Sequence, residues 1–301
     1  DDSAFANCSG LTSMNIPESV SRIGSCAFSG CSNLSSINIP GNVSIIHGGT
    51  FYDCSSLTSI TIPNSVTKID DGQYRYDIYD YVGAFDGCMN LTSITIPNSL
   101  VSIGSYAFRN CRNLTSINIS NGLTIIGESA FENCSKMNVL NLPDELQIIK
   151  KAAFKGCSSL NSVTIPATVE FIYQESFANC NALQNVKALP EVPPFLYENS
   201  FTNYSVPLKV PKGCKEAYQS AQGWKNFTNI SDADKYKLIY IIDGENYKTY
   251  EIEEGTSITP EPAPTKEGYT FSGWSKIPET MPAHDVTVTG LFTINSYKLT
   301  I

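Results

Sequence analysis

The side chains best suited to chemistry are sparse and, with one exception, scattered. The exception is Asp70 to Val82, DDGQYRYDIYDYV, in which Tyr74, Tyr76, Tyr79 and Tyr81 alternate with Asp70, Asp71, Asp77 and Asp80. Tyrosine offers a large amphipathic contact at small entropic cost, so such a stretch suits recognition of a partner. Two other readings compete with it. The rings could pack down on their neighbours, or the aspartates could supply oxygen ligands to Ca²⁺, although the EF-hand loop pattern is lacking. Tyr74, Tyr76, Tyr79, Tyr81, Asp77 and Asp80 are therefore candidate ligand-binding residues.

Catalysis requires a nucleophile, a base and a stabiliser to converge, and the raw material is thin. The chain has two histidines, His47 and His284. Cys-x-x-Cys, His-Glu-x-x-His, Gly-x-Ser-x-Gly and Walker or Gly-x-Gly-x-x-Gly loops do not occur, so zinc, serine-hydrolase and nucleotide chemistry lack their usual signals. The expectation is a non-enzymatic protein without metal or cofactor. The formal net charge is −9, with 14 basic against 18 acidic residues up to Ser231 and 6 against 11 beyond it. No Lys/Arg cluster is present to neutralise phosphates, which argues against nucleic-acid binding.

The tyrosine stretch interrupts a repeat. Phe5, Phe28 and Phe51, then Phe85, Phe108, Phe131, Phe154 and Phe177, follow one another at 23 residues, whereas Phe51 and Phe85 are 34 apart, an insertion of 11. Cysteine stands three residues after each of these phenylalanines, from Cys8 to Cys180. Between anchors runs Leu91, Ile94, Ile96, Leu100 and Ile103, repeated as Leu114, Ile117, Ile119, Leu123 and Ile126. The Ile-x-Ile alternation predicts a short strand with isoleucines inward. A following proline, as at Pro97, ends it. One such coil cannot bury its own apolar face, so neighbours must stack in a solenoid of parallel strands.

The outward column of that strand reads Asn15, Asn38, Thr61, Thr95, Asn118, Asn141, Thr164 and Lys187. It is either a plain solubilising ladder or a second recognition face, for which Asn118 and Asn141 are the candidates. Eight of the ten cysteines share one repeat position, and parallel side chains there point alongside each other, so a mainly reduced ladder inside the coil is expected. Cys26 and Cys214 stand off that ladder and stay undecided.

LTSITIPNSVTKI followed by GAFDGC, with Ile-Pro-x-x-Val and Ala-Phe-x-x-Cys recurring from Ala4 to about Ile230, resembles the BspA-like leucine-rich repeats of bacterial surface proteins. That resemblance implies a secreted or cell-surface protein whose array serves adhesion or recognition. Prolines gather from Pro190 to Pro211 where the period degrades. The segment CKEAYQSAQGW then predicts a short helix, with Ala217, Tyr218 and Trp224 covering the last coil.

From Tyr236 the frame changes. KLIYIIDG and YKTYEI predict two strands about an Asp243-Gly244 turn, followed by Gly268-Tyr269-x-Phe271-x-Gly273-Trp274. These motifs resemble the Listeria–Bacteroides repeat domain, which implies a small, β-grasp-like module with Trp274 in its core. The expected layout is a mostly β, α/β-type leucine-rich-repeat solenoid over 1–231, a β-rich domain over 232–295 and the start of a further repeat over 296–301. The chain enters its repeat at the phenylalanine step, and Tyr297-Lys298-Leu299 echoes Tyr236-Lys237-Leu238, so a signal peptide and an anchor are expected outside it. The functional expectation is a monomeric, extracellular, cell-surface protein that binds a host protein or glycan, attached to a membrane only through that outside anchor. The alternatives are a structural surface spacer and, further off, a glycan- or peptide-processing enzyme.

Overall fold

The computed structural model describes residues 1–119 and 121–295, and for Asn118 the backbone only. The predicted further repeat at 296–301 lies outside the described residues. The chain forms two compact units, Asp1–Ser231 and the part from Asp232 onward.

In the first unit the coils contribute short strands of the Ser-Ile-Thr type along one face, which pair in parallel and in register in three groups, Ser13–Met14 with Ser36–Ile37, Ser59–Thr61 through Val139–Asn141, and Ser162–Ile165 through Ile230–Asp232. Ile60 lies opposite Ile94, Ile117 opposite Leu140, and Val163 opposite Val186. The return segment also forms a strand, which its Val-x-x-Ile pattern alone does not reveal. Seven of these strands, from Ile45–Ile46 to Phe195–Leu196, form a second parallel sheet in chain order. The coil is thus closed by two strand faces, and the 11-residue insertion disturbs the register of neither, since Ile60 still lies opposite Ile94 and Ile69 opposite Ile103.

Between the sheets runs the phenylalanine column. From Phe5 to Phe201, neighbouring rings stack with centroids 5.0–5.7 Å apart and planes within 13°. Phe51, Phe85, Phe108, Phe131 and Phe154 are fully buried. No disulfide joins any of the ten cysteines. Their shared position has a further use: each thiol from Cys31 to Cys180 donates to the phenylalanine carbonyl of the preceding coil at 3.1–3.3 Å. Burial pushes these thiols up, to about 12 at Cys54 and Cys180, so they are held as inert donors.

The turns around each phenylalanine require left-handed backbone. Two residues after it stand Asn7, Gly30, Asp53, Gly87, Asn110, Asn133, Gly156 and Asn179, all at positive φ. Glycine, asparagine and aspartate tolerate that region best, which explains the composition of the column. Two residues before it, Ser3, Cys26, Gly49, Tyr106, Ser129, Ala152 and Glu175 are likewise at positive φ. Cys26 belongs to this second column.

Two side chains depart from their expected places. Lys187, assigned to the outer face, is 9% exposed, with Thr164 and Lys209 opposite it in the neighbouring strands. Ala217 is exposed, and only Tyr218 of the short helix Lys215–Ser220 is buried. Tyr218 Oη donates to Pro190 O at 2.8 Å and Trp224 Nε1 to Pro194 O at 2.7 Å, tying the cap to the proline-rich segment.

In the second unit, Lys235–Ile242 and Glu245–Glu253 form a hairpin around Asp243 and Gly244, both at positive φ as a tight primed turn requires. Val286–Gly290 pairs in parallel with the first of these strands, and Tyr269–Phe271 pairs with Phe292–Ile294. Trp274 packs against the core of this unit, edge-on to Tyr240 at 4.8 Å, and donates through Nε1 to Glu261 O.

Candidate functional site: a tyrosine hairpin on the solenoid

The insertion is a β-hairpin, Gln73–Arg75 paired antiparallel with Asp80–Val82, with Tyr76 to Tyr79 as its tip. It springs from one position of the repeat, the one two residues before phenylalanine, which elsewhere a single residue fills. That residue uses its amide to reach the next coil, as Tyr106 N does to Glu128 O, and its carbonyl to close the turn, as Tyr106 O does with Arg109 N. Here the roles are divided. Gly72 N donates to Ser105 O, while Gly83 O accepts from Asp86 N. The hairpin is inserted between two halves of one ladder position, and so the coil closes normally beneath it.

Two arginines hold the hairpin to the scaffold. Arg109, from the following coil, donates to the hairpin at Asp80 Oδ2 (2.8 Å) and Tyr81 O (2.6 Å). Its Nε reaches Asp86 Oδ2 at 2.9 Å, and its guanidinium lies over the Tyr106 ring. Arg75, from the hairpin, chelates Asp77 through Nε and Nη2, donates to Ser29 Oγ at 3.0 Å and lies over the Tyr52 ring. The Arg75 guanidinium holds the exposed Asp77 carboxyl below the usual aspartate range. The Asp86 side chain is 1% exposed, and burial raises it to about 6 against the pull of Arg109 and Asn110.

The six hairpin candidates fall into two groups. Tyr81 stacks on Tyr106 at 5.7 Å, and Tyr74 sits edge-on to both Tyr76 and Tyr81, so the inner rings pack against the coil and each other. Tyr76 and Tyr79 are 79% and 81% exposed, with Ile78 between them also exposed. Asp77 and Asp80 are occupied by arginine. Among the described residues no group of three or more His, Cys, Asp or Glu side chains is placed to hold a metal ion. Asn118 and Asn141 lie opposite each other in adjacent strands of the first sheet, far from the hairpin in the coil's path. Asn141 is exposed, and the side chain of Asn118 lies outside the described residues.

His47 Nδ1 pairs with Asp70 Oδ2 at 2.8 Å, and Lys68 reaches the other oxygen of the same carboxylate. The residues that the sequence does not single out are Arg109, Asp86 and Tyr52. Arg109 and Asp86 sit at ordinary repeat positions, and only their charge, next to an insertion rich in aspartate, marks them.

BspA type leucine rich repeat region sequences match residues 1–80 and 76–207, in six copies. The chain belongs to this family. Residues 236–293 match the Listeria-Bacteroides repeat domain. A stretch of 78 residues is 37% identical to internalin H of Listeria monocytogenes, and that stretch is 22% of this chain and 14% of internalin H. The crystal structure of a T. pallidum leucine rich repeat protein is similar at 34% identity and a TM-score of 0.45, covering 53% of this chain and 69% of that one. A leucine-rich repeat protein from Bacteroides ovatus is similar at 23% identity and a TM-score of 0.42, covering 81% and 82% respectively. Among the described residues, the tyrosine hairpin is the one secondary-structure element added between Phe5 and Phe177 to the 23-residue frame of the coils.

Proposed function

We propose that the BspA-type array is a non-enzymatic recognition module of a secreted or cell-surface protein, and that it engages an extracellular protein or glycan through the tyrosine hairpin. The observation that carries this reading is the contrast within the hairpin. Its root is clamped by Arg109 and Arg75, while Tyr76 and Tyr79 stand almost fully exposed at the tip. Exposed aromatics on a rigid support lose little entropy on binding, which is the property of an interface anchor. The protein acts as a monomer in this reading, meets a membrane only through an anchor outside the chain, and does not bind nucleic acid.

The test is binding of the protein to immobilised extracellular matrix proteins and to a glycan panel, with wild type beside a Tyr76→Ser, Tyr79→Ser variant. Binding that falls at least about tenfold in the variant, with an unchanged melting temperature, supports the hairpin. Equal binding by both proteins moves the site elsewhere, and the Asn118 and Asn141 face becomes the candidate. No binding by either favours the spacer reading.

A further inference from the structure

Beside the clamped leg of the hairpin lies a cleft of about 350 Å³ whose walls come from four successive coils. Its chemistry differs from that of the hairpin tip. The tip offers aromatic surface, whereas the cleft is lined almost wholly by planar polar side chains: Tyr52 and Asp53, then Asn110 and Arg112, then Glu132 and Asn133. Most of these groups are half-buried, and only Arg112 and Asn133 are exposed. Several are fixed before any ligand arrives. Asn110 Nδ2 donates to the buried Asp86, and Asn110 Oδ1 accepts from Asn133 Nδ2 at 3.1 Å, so a chain of hydrogen bonds sets both amides across three coils. Asp53 is placed by its left-handed backbone, and burial raises its carboxyl above the usual range.

We infer that this cleft is a carbohydrate subsite of the recognition surface, taking a neutral, hydroxyl-rich glycan, with Asp80 of the hairpin in its wall. The inference rests on the recognition reading above and names the ligand class for it. Three features select that class. Carboxylate, amide and guanidinium groups are planar, and each can hold two neighbouring hydroxyls of a sugar ring by paired hydrogen bonds. The sugar's desolvation is then offset by donors and acceptors already in position. The lining carries the carboxylates of Asp53, Asp80, Asp86 and Glu132 against the guanidiniums of Arg109 and Arg112, so an anionic ligand meets an unfavourable charge balance. Finally, Met89, the aliphatic side chain in the lining, is 42% exposed, so the cleft offers no buried apolar anchor. A protein partner needs one there, because interface energy concentrates in buried aromatic and aliphatic side chains.

The experiment is titration calorimetry on the full chain with neutral oligosaccharides of glucose, galactose, mannose and N-acetylglucosamine, and with sialylated and sulfated counterparts. Asp53→Asn with Arg112→Ala is the cleft variant, and Tyr76→Ser with Tyr79→Ser is the tip variant. The expected result is that at least one neutral series binds, its anionic counterpart binds more weakly, and the cleft variant loses about tenfold or more in affinity with its melting temperature unchanged. Should the cleft variant melt lower, Arg112→Ala alone replaces it, since that exposed side chain makes no ion pair among the described residues. Binding that prefers anionic sugars, or that the cleft variants do not weaken, overturns the inference. A glycoprotein ligand separates the two readings. If binding survives enzymatic deglycosylation and only the tip variant weakens it, the sugar subsite is wrong and the hairpin recognition stands. If neither variant affects any binding, both fall.

Discussion

At the scale of single residues, the molecule is governed by repetition, and departures from it carry the information. Phe108 is the ordinary case: fully buried, it stacks between Phe85 at 5.2 Å and Phe131 at 5.3 Å, where neighbours bound on both sides cannot collapse into a void. Phe108→Ala should therefore cost about 3–5 kcal/mol in denaturant melts. A loss under about 1 kcal/mol would mean that the column is not the core. Asp86 is the departure. Its folded value near 6 lies above the ordinary 3.8, so between those two values the folded chain binds more protons than the unfolded one. Stability from this group must then rise as pH falls from about 6 to about 4, opposite to the usual aspartate. Against Asp86→Asn, which removes the titration and keeps the shape, wild type should gain roughly 2–3 kcal/mol between pH 7 and pH 4 in urea melts. Parallel pH profiles for the two proteins would show that Asp86 is not a buried, costly anion.

At the scale of elements, the hairpin decides what the sequence could and could not reveal. Its existence as an insertion, its length and its tyrosines were legible because the 23-residue frame around it is so regular. Its point of attachment was not. From spacing alone, removing Asp71 through Tyr81 restores the period as well as any other cut of 11 residues. Only the hydrogen bonds show that Gly72 and Gly83 share one ladder position, and that Asp71 must stay because its carboxylate accepts from Ser105 N at 2.7 Å. The return strands were hidden for a similar reason. A two-residue strand gains its identity from parallel neighbours in other coils, which no local window contains. The clean excision is therefore Gln73 through Gly83, which leaves Gly72 to supply both amide and carbonyl and, being glycine, to take the left-handed backbone that the column requires. That variant should fold with cooperativity retained and a stability loss of only about 1–3 kcal/mol, most of it from the buried Val82. The check is a thermal melt set beside the binding assay. A collapsed melt would mean that the hairpin closes the coil instead of decorating it.

At the scale of the whole array, stability is a sum over coils and the contacts between them, so what happens at an end stays near that end. The C-terminal end is closed by two side chains that combine apolar bulk with one polar atom each. Tyr218 and Trp224 are fully buried, lie edge-on at 5.1 Å, and satisfy the carbonyls of Pro190 and Pro194. Those carbonyls are on buried residues, and without the cap they would have no amide in a following coil to pair with. Trp224→Ala thus removes both the cover and a hydrogen bond, at a cost of about 3–5 kcal/mol. In a globular core that loss would be shared by the whole molecule. Here it should appear in hydrogen exchange as faster opening of Asn185–Ala188, Phe195–Leu196 and Leu208–Val210, with the amides of Ser102–Ile103 and Ile125–Ile126 keeping their protection. Trp224→Phe, which keeps most of the packing and loses the bond to Pro194 O, should give the same pattern at smaller amplitude. Uniform loss of protection from Ile45–Ile46 to Phe195–Leu196 would instead show that the continuous sheet of return strands couples the array into one cooperative unit. In that case an event at the hairpin could be felt at the cap.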